Sequence, residues 1–209
     1  MPPGSLMQRS FFERAPDLVA RDVLGKLLVR RASGTLLVGR IVEVEAYFGQ
    51  DDPAAHAAAG RTARNAVLFG PAGHAYVYFV YGMYSCLNIS CEPEGHAGSL
   101  LVRALEPLAG LPQMAHARGL ASTAVPRLLT SGPGRLCQAF GLTRASHNGI
   151  DLLDDDSDLQ LRDDGYVVPS LVATPRIGIS KATERPLRYL IDGNPCVSGP
   201  KRLALKSNS

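Results

Sequence analysis

The chain has 209 residues, of which 45% are hydrophobic and 20% are charged, a balance typical of a folded globular protein and not of a disordered or membrane protein. A formal net charge of +3 at pH 7 by itself favours no particular class of partner. Because a chain of this length can bury one sizeable core, the sequence predicts a single domain over residues 1–209, with flexible termini at 1–8 and 203–209.

The first third of the chain predicts a helix followed by a β-hairpin. Residues 15–24, APDLVARDVL, have the periodicity of an amphipathic helix, and Gly25 follows where a helix-ending glycine belongs. KLLVRR at 26–31 and TLLVGRIVEVEAYF at 35–48 indicate two paired strands, the second long enough to extend past its partner. Residues 50–73 mix Pro, Gly and polar residues, which predicts a loop with one short helical turn.

The middle of the chain predicts further strands and helices. Residues 74–91, HAYVYFVYGMYSCLNISC, are rich in aromatic and β-branched residues and are interrupted by one glycine. This pattern indicates two strands joined by a tight turn at 81–83. SLLVRALEP at 99–107 predicts another strand, and helices are predicted near 111–118 and through GRLCQAFG at 134–141.

The last third predicts an acidic loop and short strands. Residues 151–164, DLLDDDSDLQLRDD, hold seven acids and one Arg and are interpreted as a solvated loop. Short strands are predicted within 166–173, 176–182 and 185–198. All the elements together predict an α+β fold: a single mixed domain with a curved, largely antiparallel sheet, flanking helices and a protruding β-hairpin.

The N-terminus and the cysteines indicate where the protein acts. No apolar run approaches the roughly 20 residues that span a bilayer, and MPPGSLMQRSFFERAP at 1–16 lacks the apolar core of a signal peptide. We therefore expect a cytoplasmic protein without membrane contact, whose cysteines are free thiols. Their spacing contains no CxxC, so no metal site is predicted, and no organic cofactor is expected. The four are Cys86, Cys91, Cys137 and Cys196.

The basic residues permit a polyanionic partner. Of the 22 basic residues, 18 are Arg and only four are Lys. The planar guanidinium of Arg pairs with phosphate oxygens through two parallel hydrogen bonds, which a Lys ammonium does not do. This composition is compatible with binding to nucleic acid.

Two carboxylates lie close together on the predicted strand at 35–48. Strand alternation places Glu43, Glu45 and Tyr47 on one face. One interpretation is a half-solvated sheet whose charged face points to solvent. The other is a pocket to which a carboxylate and a tyrosine both contribute.

Five of the seven tyrosines fall between residues 47 and 84, and their positions suggest different roles. Tyr76 and Tyr78 share one face of a predicted strand, and we interpret Tyr76 and Tyr84 as residues that stabilise the core or the hairpin. Tyr81 is different because it lies at the predicted turn, where a bulky ring has few neighbours. An aromatic tip beside a basic surface is typical of proteins that insert a side chain between stacked bases.

Few residues are candidates for catalysis. The sequence has no Ser-x-Gly elbow, phosphate loop or HExxH helix, which disfavours a nucleophilic triad. A lone carboxylate such as Glu45, near tyrosines and Arg103, can act as a general base for a water molecule that attacks a sugar carbon with oxocarbenium character. Glycosidases usually need a second carboxyl group to protonate the leaving oxygen, but a cationic purine departs as a neutral base and needs less help.

Several long motifs closely resemble the alkyladenine (3-methyladenine) DNA glycosylase family. They are GRIVEVEAYFGQDDPAAH, AYVYFVYGMYSCLNIS, LLVRALEPLAG, SGPGRLCQAFG and the later RIGI and RPLRYLIDGNPCVS, in the same order over roughly residues 9–200. The resemblance implies a monofunctional enzyme that acts on double-stranded DNA as a monomer. It would flip an alkylated or deaminated purine nucleotide out of the duplex and hydrolyse its N-glycosidic bond, leaving an abasic site.

The resemblance also implies roles for the pocket residues. Glu45 in VEVEAY matches the general base of the family, and Arg103 in LLVRALEP matches the Arg that helps to position the attacking water. Tyr47 and His56 match the walls that stack on the flipped base and hydrogen-bond to it. Tyr78 resembles the opposite stacking wall, and an aromatic pair suits an electron-poor alkylated ring.

The resemblance assigns roles to three further residues: one in rejecting normal bases and two in inserting a side chain into the DNA duplex. Asn88 in CLNIS corresponds to the residue whose amide crowds the amino group of guanine, which would reject a normal base. Tyr81, with Met83 in the same predicted turn, resembles the wedge that fills the space vacated in the duplex. The substrates 3-methyladenine, 7-methylguanine, hypoxanthine and ethenoadenine remain alternatives.

Two other function classes remain open at this point. A non-catalytic nucleic-acid-binding module could share the fold, although the presence of Glu45 and Arg103 argues against it. A lyase could attack through a Lys Schiff base. The lysines lie outside the tyrosine-rich motifs, at Lys26, Lys181, Lys201 and Lys206.

Overall fold

The described part of the protein forms one antiparallel sheet. The computed structural model describes residues 2–32, 34–80, 82 and 84–199. These residues form nine strands: β1 (Ser5–Leu6), β2 (Leu27–Ala32), β3 (Thr35–Phe48), β4 (Ala75–Val80), β5 (Tyr84–Cys91), β6 (Gly98–Ala109), β7 (Leu159–Asp163), β8 (Leu171–Thr174) and β9 (Arg188–Ile191). The order is β1-β7-β2-β3-β6-β5-β4, and β9 pairs with β3 and β8 off this path.

Short helices cover the sheet. Within the described ranges these are α1 (Arg9–Phe12), α2 (Pro16–Val23), α3 (Leu111–Ala117), α4 (Pro126–Thr130), α5 (Pro133–Ala139) and α6 (Arg144–His147). In this part of the chain no helix has the length and apolar character needed to span a bilayer. One antiparallel sheet with separate helices confirms the predicted α+β class.

The predicted helix and hairpin at the start of the chain are confirmed. Pro16 begins α2, where a proline is tolerated because its missing N–H would have no helical partner, and Gly25 follows with a positive φ of 84°. β3 has 14 residues but β2 has only six, so the far half of β3 needs other partners. It pairs with β6 on one side and with β9 on the other, which buries this part of the strand.

The predicted hairpin at 74–91 is confirmed by the antiparallel pairing of β4 and β5 at one edge of the sheet. Tyr76 is 1% exposed, as expected of a core residue, whereas Tyr84 is 48% exposed and lies opposite Val80 in the hairpin, so of the two predicted roles only hairpin stability is compatible with its position. Phe79 is also half exposed, and the end of the hairpin therefore presents aromatic surface to solvent. Tyr81 and Met83 lie outside the described residues.

Other parts of the chain differ from the sequence prediction. The acidic segment 151–164 is not all loop, because β7 lies within it and pairs with β2 and β1. Residues 176–182 form a loop instead of the predicted strand. The predicted flexible segment 1–8 includes β1, whose Ser5 and Leu6 pair with β7.

Two groups of buried residues matter for the site. The main core lies between the sheet and the helices and includes Val77, Leu87 and Ile89 from one face of the β4–β5 hairpin. The opposite face of that hairpin contributes Tyr76 and Tyr78 to a second, smaller cluster. The hairpin thus anchors itself through one face and presents its tyrosines on the other, as strand alternation predicts.

Candidate active site

A cavity of about 530 Å³ opens beside the second cluster. Five of the predicted site residues line it: Tyr47, His56, Tyr78, Asn88 and Arg103. They come from β3, the loop after it, both strands of the hairpin, and β6. The structure therefore brings together residues that are up to 56 positions apart in the sequence.

Glu45 lies directly behind this lining and is fully buried. Its Oε1 accepts a hydrogen bond of 2.7 Å from the backbone N–H of Ile177, and Arg103 Nη1 lies 3.2 Å from the same oxygen. Its Oε2 accepts a bond of 2.9 Å from the hydroxyl of Tyr47. All three partners line the cavity, so the carboxylate is one residue layer from the open space. The half-solvated interpretation of this strand face is wrong, because Glu43 is also fully buried.

Arg103 is held between two carboxylates. Its Nε donates to Glu43 Oε1 at 2.9 Å, and its Nη1 faces Glu45. Burial alone would lower the pKa of Arg103, but the adjacent charges of Glu45 and Glu43 raise it above its ordinary value. The guanidinium therefore stays charged and supplies a fixed positive group at the cavity wall.

The ring of Tyr47 is fixed from two directions. Its hydroxyl binds Glu45, and the guanidinium of Arg176 lies 4.5 Å from the ring centroid. Arg176 is in turn paired with the buried carboxylate of Asp52 and donates to the carbonyl of Ala46 at 3.0 Å. Burial, together with the charge and hydrogen bond of Glu45, raises the pKa of Tyr47, so the phenol stays protonated and acts as a donor.

Three aromatic rings pack against one another at the cavity, and two of them, those of His56 and Tyr78, line it. Tyr76 and Tyr78 stack with centroids 5.0 Å apart, and the His56 ring meets Tyr78 edge-on at 4.3 Å. His56 Nδ1 lies 3.2 Å from the Tyr76 hydroxyl. Burial, with a smaller contribution from the charge of Arg64, lowers the pKa of His56. A neutral imidazole at neutral pH can donate from one ring nitrogen and accept at the other.

Asn88 contributes an amide to the cavity wall. Its Nδ2 donates to Ser99 Oγ at 3.1 Å, and its buried Oδ1 has no hydrogen-bond partner among the described residues. Cys86 lies two positions before it on β5 and also lines the cavity. Burial raises the pKa of the Cys86 thiol to about 11, so it is a neutral, weakly reactive group.

Sequence reasoning missed the loop that completes the site. Residues 177–181 line the cavity, and the backbone N–H of Ile177 binds Glu45. The preceding Arg176 meets Asp52, 124 positions earlier. Gly178, with a positive φ of 79°, was the only local signal against a strand here.

Lys181 is part of the same missed loop. It is an exposed residue that lines the rim of the cavity, although its sequence position lies far from the tyrosine-rich motifs. The structure thus places one amine at the cavity. No group of three or more His, Cys, Asp or Glu residues suited to a metal ion occurs in the described ranges, where all four cysteines are buried and free.

A second cavity of about 440 Å³ adjoins the first and shares Val80, Cys86 and Pro133 with it. It is lined by Tyr84, Arg118 and Arg135. Within the described residues, neither arginine has a carboxylate as an ion-pair partner. This neighbouring surface is aromatic and positively charged.

Comparisons with known proteins agree on one family. A family model described as methylpurine-DNA glycosylase matches residues 10–195. A protein of Koribacter versatilis (strain Ellin345) is 54% identical over 208 residues, which cover 97% of this chain and 100% of that protein. A Burkholderia lata protein is 47% identical over 95% of this chain and 93% of its own length. A Methanocella arvoryzae protein is 45% identical over 92% of this chain and 96% of its own length. All three are named "Putative 3-methyladenine DNA glycosylase".

Proposed function

This chain belongs to the methylpurine-DNA glycosylase family, and from this premise we propose that it hydrolyses the N-glycosidic bond of damaged purines in double-stranded DNA. It rotates an alkylated or deaminated purine nucleotide out of the duplex and leaves an abasic site, which starts base excision repair. It acts as a monomer in the cytoplasm. The observation that carries the proposal is the buried Glu45, paired with Arg103 in the wall of a cavity whose volume, about 530 Å³, lies in the range of small-molecule sites.

Glu45 serves as the general base in this proposal. Its Oε2 has a single hydrogen-bond partner among the described residues, so it can accept a second bond from a water molecule. As the bond between sugar and purine lengthens, the anomeric carbon gains positive charge, and the water that attacks it gives its proton to the carboxylate. The electron pair of the broken bond leaves with the purine. A cationic purine is then released neutral, whereas a neutral purine such as hypoxanthine leaves as an anion and takes up a proton from water.

The aromatic residues support recognition of an extruded base. Tyr47 and Tyr78 both line the cavity, and flat π-surfaces accept a purine ring, most strongly one that carries positive charge. Asn88 then crowds the exocyclic amino group of guanine and disfavours an undamaged base. A neutral His56 supplies either a donor or an acceptor to the base edge.

The second cavity supports a path for the DNA backbone. Arg118 and Arg135 can pair with phosphate oxygens because no described carboxylate competes for them. Tyr84 adds an aromatic surface to the same cavity. Tyr81 and Met83, whose sequence positions fall between β4 and β5, fill the gap that the extruded nucleotide leaves.

A base-release assay with the wild-type protein tests the proposed function. We expect release of 3-methyladenine, 7-methylguanine, hypoxanthine or ethenoadenine from defined duplexes, with a matching undamaged duplex left intact. The extent of base release is measured by cleaving the DNA strand in alkali at the abasic site that release leaves. Tight binding of the lesion duplexes without release of any of these bases would instead identify a non-catalytic nucleic-acid-binding module.

The position of Lys181 favours one second candidate, a lyase that forms a Schiff base with the abasic sugar. We expect the enzyme to be monofunctional, so borohydride should trap no more DNA adduct with the wild type than with Lys181→Ala. Lys26→Ala is the matched control, because Lys26 is ion-paired with Asp163 outside the cavity. An adduct that is lost only in Lys181→Ala would establish lyase chemistry.

A further inference from the structure

Glu43 is a fully buried carboxylate that accepts four hydrogen bonds and has no role in the proposed reaction. Its Oε1 accepts from Arg103 Nε at 2.9 Å, from Arg188 Nε at 2.6 Å and from Ser198 Oγ at 2.8 Å. Its Oε2 accepts from the backbone N–H of Ser198 at 2.5 Å. Glu43 is fully buried, so these donors replace all of its hydration.

The charges around Glu43 and Glu45 are balanced. Two buried carboxylates face two buried guanidinium groups, those of Arg103 and Arg188. Arg188 lies on β9 directly opposite Glu45, yet its Nε bonds to Glu43 and its Nη2 bonds to the carbonyl of Ser198 at 3.0 Å. Arg103 is the only group of the four that touches both carboxylates.

We infer that Glu43 positions Arg103 so that only its Nη1 reaches Glu45, which leaves Oε2 of Glu45, bonded to the Tyr47 hydroxyl, able to accept a second bond from the attacking water. The inference rests on the proposed function of Glu45 as general base. It assigns to Glu43 an effect on the reaction that passes through Arg103 and requires no contact with the substrate.

The chemistry of guanidinium groups gives the reason. Arg and a carboxylate prefer to form two parallel hydrogen bonds, which occupy both carboxylate oxygens. Glu43 engages the Nε edge of Arg103, and this restricts Arg103 to one contact of 3.2 Å with Glu45 Oε1. Without the carboxylate of Glu43, Arg103 can turn and pair with both oxygens of Glu45. The base would then be occupied by a cation instead of a water.

Three variants at position 43 separate this effect from a loss of stability. Glu43→Met removes both carboxylate oxygens but leaves Arg188 as an uncompensated buried charge. Glu43→Met/Arg188→Met removes both charges, so it restores the charge balance, and Met at position 43 has no oxygen that could accept a bond from Arg103. Glu43→Asp keeps the charge with a shorter side chain and is measured in parallel, so that a folded variant is available. Asp164→Asn is the matched control, because it breaks the Arg40–Asp164 ion pair, whose residues do not line the cavity.

The measurements are the single-turnover rate constant of base release, the dissociation constant for the lesion duplex, and the urea midpoint of unfolding. We expect the double variant to recover the wild-type midpoint that Glu43→Met loses, yet to release base roughly tenfold to a hundredfold more slowly than wild type. Glu43→Asp is expected to show a similar loss of rate. In all three variants the dissociation constant is unchanged. Asp164→Asn is expected to lower the midpoint and to keep the rate.

The possible outcomes separate a failure of the inference about Glu43 from a failure of the proposed function on which it rests. If wild type releases base and either the double variant or Glu43→Asp does so at the same rate, Glu43 is only structural and the inference is wrong. A rate that follows the urea midpoint across all variants, including Asp164→Asn, leads to the same conclusion. If wild type itself releases no base, the proposed function fails, independently of Glu43.

Discussion

Glu45→Gln is expected to slow base release by about 10³-fold or more, because loss of a positioned general base typically costs about 10²- to 10⁴-fold and, among the described residues, no second carboxylate lines this cavity to replace it. The substitution keeps the shape of the side chain. Gln can still accept from Ile177 through its carbonyl oxygen, and its amide nitrogen can donate to the Tyr47 hydroxyl. The local structure therefore survives while the proton acceptor is lost.

Two measurements make this result interpretable. The single-turnover rate reports the chemical step, and the dissociation constant for the same lesion duplex should remain unchanged, since Glu45 lies behind the lining and makes no contact with the DNA backbone in the proposed function. Glu13→Gln is the control, because Glu13 is an exposed glutamate outside the cavity lining. Unchanged turnover of Glu45→Gln would refute the role of Glu45.

The residues that local patterns place correctly lie on strands. Alternation along β3 put Glu45 and Tyr47 on a common face, and alternation along β4 separated Tyr78 from Val77. In both cases the backbone of a strand fixes the direction of a side chain, so a few neighbouring residues suffice. These strands then bring Glu45, Tyr47 and Tyr78 to one cavity through sheet pairing alone.

The loop at 176–182 shows what local patterns miss. RIGIS alternates like a strand, but Arg176 is drawn into the protein by Asp52, a partner 124 positions away. An ion pair between residues so far apart in the sequence produces no periodic pattern of apolar and polar residues that local reasoning could detect. The backbone contact of Ile177 with Glu45 depends on the same long-range pairing, so it too was beyond sequence reasoning.

The acidic segment shows the opposite problem, a bulk property that hides local structure. Seven acids over 14 residues suggest a solvated loop. Within them Leu159 and Leu161 alternate with polar residues and are fully buried in β7. One of the acids, Asp163, is paired with Lys26, which reduces the cost of a carboxylate at the end of a strand. A five-residue strand is too short to alter the charge average over the segment.

Asp52→Asn is expected to lower the free energy of unfolding by about 3–5 kcal/mol at neutral pH, the usual cost of removing one partner of a buried ion pair. Both side chains of the Asp52–Arg176 pair have no solvent exposure. Asp52 Oδ1 accepts from Arg176 Nη2 at 2.9 Å and from the backbone N–H of Ala54 at 3.1 Å. An asparagine would present its amide hydrogens to one of these donors and leave a buried cation unpaired.

The exposed pair between Arg14 and Asp22 provides the matched control. Its side chains are 36% and 52% exposed. Asp22→Asn is therefore expected to change the free energy of unfolding by only about 0–1 kcal/mol, because water and salt screen an exposed pair. Urea unfolding of the wild type and both variants in one buffer measures the two effects. Similar losses for the two variants would show that burial of the Asp52–Arg176 pair does not decide its contribution.

The difference between wild type and Asp52→Asn should also depend on pH. Burial alone would raise the pKa of Asp52, but hydrogen bonds from Arg176 and Ala54, with the charge of Arg176, hold it below its ordinary value of 3.8. A carboxyl group whose pKa is lower in the folded state stabilises the protein fully above the ordinary pKa, and this contribution is lost as the pH falls through the folded-state value. The difference should therefore be constant from about pH 7 to pH 5 and should shrink below about pH 4. A difference that grows as the pH falls would mean that Asp52 is protonated in the folded protein, and the ion pair that holds Arg176 against Tyr47 would then be absent.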